Sequence, residues 1–171
     1  MPEEQSSVYL EPSFISMLTS RPSAFVTTAG MQRFSILWWE KCRRDFRLVV
    51  SDLVYDEISR GDPDATTRRI QIIENIPVLD MNEKVRRLAD EIIRRNGIPR
   101  KAIGDAGHVA CAAVHGIDYI LTWNCRHIAN EFKKPRIERL IRENNYKPPI
   151  LTTPQTLLGE HNDHDIYLRP E

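Results

Sequence analysis

Short β-branched runs alternate along this chain with longer amphipathic stretches. Val8-Tyr9-Leu10 follows a polar start and precedes Pro12, which predicts a first strand ending at Glu11. A helix then starts at Pro12, where no backbone donor is lost. Phe34, Leu37 and Trp38, three and four apart, predict a helix over residues 31–41. Residues 46–50 read as a second strand. Ser51 is placed to cap a helix over 52–60 that Gly61 stops, and Asp62-Pro63 opens another through residue 74. Residues 76–79 give a third strand. Asp80 with Glu83 resembles a capping box for a helix carrying Val85, Leu88, Ala89, Ile92 and Ile93, which Gly97 ends. Between residues 102 and 115 the small side chains Ala106, Gly107, Ala110, Ala112 and Ala113 predict a helix pressed against a sheet, terminated by Gly116. A fourth strand over 117–122, a helix over 136–143 with Ile137, Leu140 and Ile141 inward, a fifth strand at Ile150-Leu151 and a short last helix from Thr153-Pro154 complete the pattern. Strands alternating with helices predict an α/β fold: a three-layer α/β/α sandwich around a mostly parallel sheet of about five strands.

The length of 171 residues fits one domain, with a core over about 8–158 and a polar tail of low expected order over 160–171. The formal net charge is zero, which excludes a wholly basic nucleic-acid coat. That zero hides unequal blocks. Residues 84–101 carry seven basic and two acidic side chains, and residues 126–147 seven and three. Residues 52–64 hold five acids against Arg60, and the stretch from Pro154 to Glu171 four against Arg169. A polyanion fits the basic blocks and a cation an acidic pocket beside them. On charge alone, solvated helix faces are the better explanation of the basic runs. The most apolar run, residues 34–39, is broken by Ser35 and stops at Glu40, short of the ~20 residues that span a bilayer. No basic-then-apolar leader precedes the first strand. Cys42, Cys111 and Cys125 form no CxxC pair, which points to reduced thiols and a cytoplasmic protein. The seven glycines form no phosphate-binding loop.

In a parallel sheet, ligands gather beyond the carboxyl ends of the strands. Glu11 and Asn124 fall at or just past the ends of the first and fourth strands. Glu57 lies on the helix after the second, and Asp105 near the start of the helix before the fourth. Hard divalent cations such as Mg²⁺ or Mn²⁺ take oxygen ligands, commonly carboxylates plus waters. Such an ion polarises a phosphoryl oxygen and acidifies water, so phosphodiester hydrolysis needs no protein nucleophile. Acidic residues at helix starts also serve as caps and dipole partners, and spacing alone leaves both roles open.

The segments Val8-Tyr9-Leu10-Glu11-Pro12-Ser13, Val54-Tyr55-Asp56-Glu57-Ile58, Asp105-Ala106-Gly107-His108 and Tyr119-Ile120-Leu121-Thr122-Trp123-Asn124-Cys125-Arg126-His127 resemble, in order and separation, the landmarks of PIN domains. They are most similar to VapC-type toxins of bacterial toxin–antitoxin pairs. The resemblance implies a Mg²⁺- or Mn²⁺-dependent endoribonuclease acting on RNA, often a homodimer and often held inactive by an antitoxin protein. It implies Glu11, Glu57 and Asp105 as metal ligands and, with Asn124, as the catalytic set. Ser13 and Thr122 become hydroxyls that orient a carboxylate or a ligand water. Two departures bear on activity. Glu11-Pro12 replaces the usual Asp followed by a hydroxyl residue, and Asn124 supplies an oxygen without a charge; both weaken metal binding. A non-catalytic PIN-like module that binds RNA or protein is therefore the rival expectation.

His108 follows Asp105 by three residues, on one helix face, where it bonds Asp105, touches a phosphate, or packs. Arg126 and His127, just past the site, and Arg100 and Lys101, which run into the Asp105 segment, are candidate RNA contacts, with Arg94 and Arg95 behind them. Trp123 either stacks on a base or packs under its loop. Cys125 and His127 stand two apart on a loop and so do not face each other as a nucleophilic pair.

Overall fold

The computed structural model describes residues 4–161. The described residues build five strands, β1 (Ser7–Leu10), β2 (Arg47–Ser51), β3 (Val78–Leu79), β4 (Tyr119–Leu121) and β5 (Ile150–Thr152). Eight helices accompany them: α1 (Pro12–Thr19), α2 (Val26–Lys41), α3 (Asp52–Ile58), α4 (Pro63–Ile73), α5 (Glu83–Arg94), α6 (Ile103–Val114), α7 (Lys134–Glu143) and α8 (Pro154–His161). All strand pairs are parallel, in the order β3-β2-β1-β4-β5. Tyr9 stands beside Val49 on one side and Ile120 on the other. The order runs outward from β1 in opposite directions, so the sheet reverses between β1 and β4. At such a reversal the flanking connections diverge and leave a crevice at the strands' carboxyl ends.

Every residue of β1 is buried, as expected of a central strand covered on both faces. Helices α1, α2, α4 and α8 pack among themselves, and α5 with α6 and α7, which gives the two outer layers. The stripe of α5 is buried as its periodicity requires, from Val85 to Ile93, and so are Ile137, Leu140 and Ile141 of α7. Trp38 is wholly buried, its ring edge-on to Phe14 at 5.6 Å. Helix α6 is enclosed from Ala106 to Ala113. Its small side chains permit this: a Cβ on Gly107 would meet Leu53 Cδ2 at 2.8 Å.

Three local expectations change. Helix α2 begins at Val26, five residues before the apolar spacing starts, because its first turns expose Phe25 and Val26 to solvent. The buried Gln32 side chain fixes that entry by accepting from Ser23 N and donating to Ser20 Oγ and Arg21 O. The cap of α5 is Asn82, whose Oδ1 accepts from Val85 N at 3.1 Å, and not Asp80. Strand β3 is only two residues long, since Pro77 has no amide to give and contributes only its carbonyl, to Val50 N. Beyond residue 161 the expected polar tail lies outside the described residues. Among the described residues no helix is long and apolar enough to cross a membrane.

Candidate metal centre

Glu11 directly follows β1 and keeps an extended backbone (φ −83°, ψ 148°) while it caps α1. Strand alternation therefore puts its side chain on the same side as Tyr9. Only 4% exposed, the carboxylate sits in the crevice between β1 and β4. Three donors converge on its Oε2: Ser13 N at 3.0 Å, Thr122 Oγ1 at 2.7 Å and Ser13 Oγ. Both hydroxyls are themselves oriented, because Trp123 N donates to Ser13 Oγ and Asn124 N to Thr122 Oγ1. Loop amides thus aim two hydroxyls at one buried carboxylate, a chain in which each bond polarises the next. Burial nevertheless dominates and raises the Glu11 carboxyl above its ordinary value, with His108, Ser13 and Thr122 pulling it back.

Glu57 reaches the same crevice from α3. That short helix starts where Ser51 accepts from Val54 N, a cap that follows β2 without a gap. Half-buried, the Glu57 side chain passes over Gly104, where a Cβ would stand 2.8 Å from Oε1. His108, wholly buried on α6, lies between. Its Nδ1 is 2.6 Å from Tyr9 Oη, which is 2.7 Å from Ser51 Oγ. Its Nε2 comes within 3.1 Å of Glu57 Oε1, but off the ring's donor axis, and so has no hydrogen-bond partner. One ligand atom each from Glu11, Glu57 and His108 all lie within 4.8 Å of one another. Two carboxylates and an imidazole nitrogen are a donor set that fits a divalent ion.

The remaining candidates fall around this trio. Asp105 is half-buried in the first turn of α6. It is outside the close set, and its charge acts on His127 across the crevice. Asn124 spends its Oδ1 on His127 N, at 3.0 Å, and so shapes the loop after β4. Trp123 is half-buried with its indole N–H given to Ser35 Oγ, a packing role. His127 is held below its ordinary pKa by burial first, then by Lys133, Arg126 and Lys101, with Asp105 opposing. Lys133 Nζ stands 3.2 Å from His127 Nδ1. Lys101, Arg126 and Lys133 therefore share one positive shelf around His127, with Asp105 acting on the same ring, and Arg100 lies in the turn before α6. Arg94 and Arg95, in contrast, are tied to Glu91 and Glu143. Cys125 is exposed, and Cys42 and Cys111 are buried; none of the three is in a disulfide. Tyr9 and Gly104 were not read from the sequence as site residues, and Ser51 was read only as the cap it is. The first was legible as the residue two before Glu11 on a strand; the clearance at Gly104 was not.

The family model of the PIN domain matches residues 33–132. The chain belongs to the PIN domain family. The match begins after β1, so in this PIN domain the structure itself brings Glu11 to the residues of the matched segment. Among solved structures, the chain is similar to VapC20 of Mycobacterium tuberculosis, described as a sarcin–ricin loop cleaving toxin. The TM-score is 0.54 at 18% identity over 70% of this chain and 92% of that one. It is similar also to VapBC2 of Rickettsia felis bound to a DNA fragment from their promoter, with a TM-score of 0.52 at 13% identity over 86% and 98%. A toxin–antitoxin complex from Klebsiella pneumoniae gives 0.51 at 11% over 74% and 93%. At such identities the likeness is one of fold. No curated protein matches the chain in sequence.

Proposed function

We propose that this PIN domain is a divalent-metal-dependent endoribonuclease that hydrolyses RNA phosphodiester bonds as the toxin of a toxin–antitoxin pair. The observation that carries the reading is the convergence of Glu11, Glu57 and His108 at the sheet's reversal point. A bound divalent cation would supply polarisation of the scissile phosphate and a more acidic attacking water. Glu11 and Glu57 would hold it, with Mn²⁺ or Mg²⁺ as the expected ion. Asp105, whose charge acts on His127, would orient the water or accept its proton. Ser13 and Thr122 keep the Glu11 carboxylate in one rotamer, so it need not reorganise when substrate arrives. Lys101, Arg126, Lys133 and Arg100 would position the RNA by its phosphates, which makes affinity salt-dependent and only weakly dependent on sequence.

The toxin assignment draws on the toxin–antitoxin proteins among the structural neighbours. It implies a neutralising antitoxin, encoded beside this gene, and action on RNA in the cytoplasm. A homodimer remains part of the same proposal. One observation favours a second reading, that of an RNA- or protein-binding module: Asn124 offers no charge and its oxygen is engaged in the loop. Incubating a mixed RNA pool with wild type, Glu57→Gln and Asp105→Asn in Mn²⁺ and in chelator tests the two. Cleavage by wild type that chelator and both substitutions abolish supports the nuclease. Equal traces from all three proteins reject it in favour of binding alone.

A further inference from the structure

We infer that His108 is itself a metal ligand. In this inference its Nε2 joins one oxygen each from Glu11 and Glu57 in an oxygen–oxygen–nitrogen site that prefers a first-row transition ion to Mg²⁺. This rests on the metal-dependent reading above and specifies its ligands and its ion.

The His108 imidazole has no reason to be where it is as a packing group. Its neighbours on α6 are Ala106, Gly107, Val109 and Ala110, all buried, and burying a polar ring without satisfying its nitrogens is destabilising. Half of that requirement is met. Nδ1 is anchored by Tyr9 Oη at 2.6 Å, and Tyr9 Oη by Ser51 Oγ at 2.7 Å. Nε2 is wholly buried and unpaired, although Glu57 Oε1 lies 3.1 Å away. A packing histidine so close to a carboxylate would be expected to turn its N–H onto it. This ring instead holds its second nitrogen off that line, inside a group of carboxylate oxygens within 4.8 Å.

The relay behind the ring supplies a tautomer suited to ligation. When Tyr9 Oη donates to Ser51 Oγ, its oxygen accepts the proton on Nδ1, and Nε2 is left with its lone pair bare. Fixing a ligating histidine through its other nitrogen in this way is the usual arrangement in metal sites. The spacing is also suitable. Ligands at ~2.1 Å from a six-coordinate ion stand ~3.0 to ~4.2 Å apart, so closing onto an ion asks for small side-chain movements, above all of half-buried Glu57. Nitrogen changes the choice of ion: imidazole binds first-row transition metals well, whereas Mg²⁺ favours oxygen and retained water.

The test loads the full-length protein with Mn²⁺ and records electron spin-echo modulation from ¹⁴N. Wild type should show coupling to one directly bound imidazole nitrogen, and growth on ¹⁵N-histidine should convert it to the ¹⁵N pattern without any substitution. His127→Gln should leave the coupling intact, and His108→Gln should remove it and weaken Mn²⁺ binding by about tenfold or more. Tyr9→Phe should retain the coupling and weaken binding by about tenfold, in the range seen when a ligand's supporting partner is lost. Mg²⁺ should displace half the Mn²⁺ only in more than about tenfold excess. Bound Mn²⁺ without histidine coupling, or coupling that survives His108→Gln, overturns the inference and leaves an oxygen-only nuclease standing. Failure of wild type to bind Mn²⁺ at all overturns both. If His108→Gln does not fold, the labelled wild type and His127→Gln decide.

Discussion

The two carboxylates of the crevice are held in opposite ways. Glu11 is almost fully enclosed and fixed by hydrogen bonds from Ser13 and Thr122, groups drawn from both sides of the β1–β4 reversal. Glu57 is half-buried and reaches the crevice over the missing Cβ of Gly104. One ligand is positioned by bonds, the other by room. The bonded one is rigid but costly to ionise, because burial raises its carboxyl. The spacious one is adjustable, which suits a ligand that must close on an incoming ion. A site built from one of each has a fixed reference point and one moving part.

The largest effect should come from removing the charge of the rigid member. Glu11→Gln is expected to lower Mn²⁺ affinity by more than about 100-fold, beyond the 10–100-fold typical of supporting residues, as read by titration calorimetry. The same variant tests the cost of burial. A carboxyl raised on folding makes the native state bind more protons than the unfolded one, so stability falls as pH rises from about 4.5 through the folded value. Metal-free wild type should therefore lose stability relative to Glu11→Gln across that window, and the gap should then stay constant at higher pH. Denaturation at several pH values checks this, and a parallel pair of curves would show that Glu11 titrates as it does in the unfolded chain.

Thr122→Val should come next. It strips one donor from Glu11 and leaves Asn124 N without its acceptor, for a loss of about 1–3 kcal/mol in denaturant and about tenfold in Mn²⁺ binding. Gly104→Ala should separate the two modes of support. The new methyl meets only the movable end of Glu57, so the thermal midpoint should stay level or rise, alanine being the better helix former. Ion binding should fall by about tenfold. Equal ion binding by wild type and Gly104→Ala would mean that clearance is not what admits Glu57. Lys133→Ala should have the smallest effect, a modest loss of RNA affinity with the salt slope reduced by about 0.7 per lost phosphate contact, measured by titration at several salt concentrations.

Much of this was legible beforehand for a physical reason. The strand and helix order follows from residues whose burial is periodic, such as Val85 to Ile93 and Ile137 to Ile141. The resemblance to PIN domains pointed to Glu11, Glu57 and Asp105 as ligands, with His108 only as a neighbour on the Asp105 helix face; helix spacing did not tell which of the two would join Glu11 and Glu57. Features set by solvent-exposed or single-residue chemistry were not legible: the first turns of α2, the cap at Asn82, and the brevity of β3.

The roles within the crevice divide along the same line. Local sequence determines that Asp105 and His108 share a helix face and that Tyr9 and Glu11 share a side of a strand, because both facts follow from backbone periods within a few residues. Which of them meet was decided by the sheet order and by the helices stacked on it. Placing β1 between β2 and β4 brings Ser51 to Tyr9, Tyr9 to His108 and Thr122 to Glu11, partners between 42 and 111 residues apart. Distances of that kind depend on how layers stack, and no local pattern encodes them. The same stacking turns His108 toward Glu57, and leaves Asp105 on the side of His127.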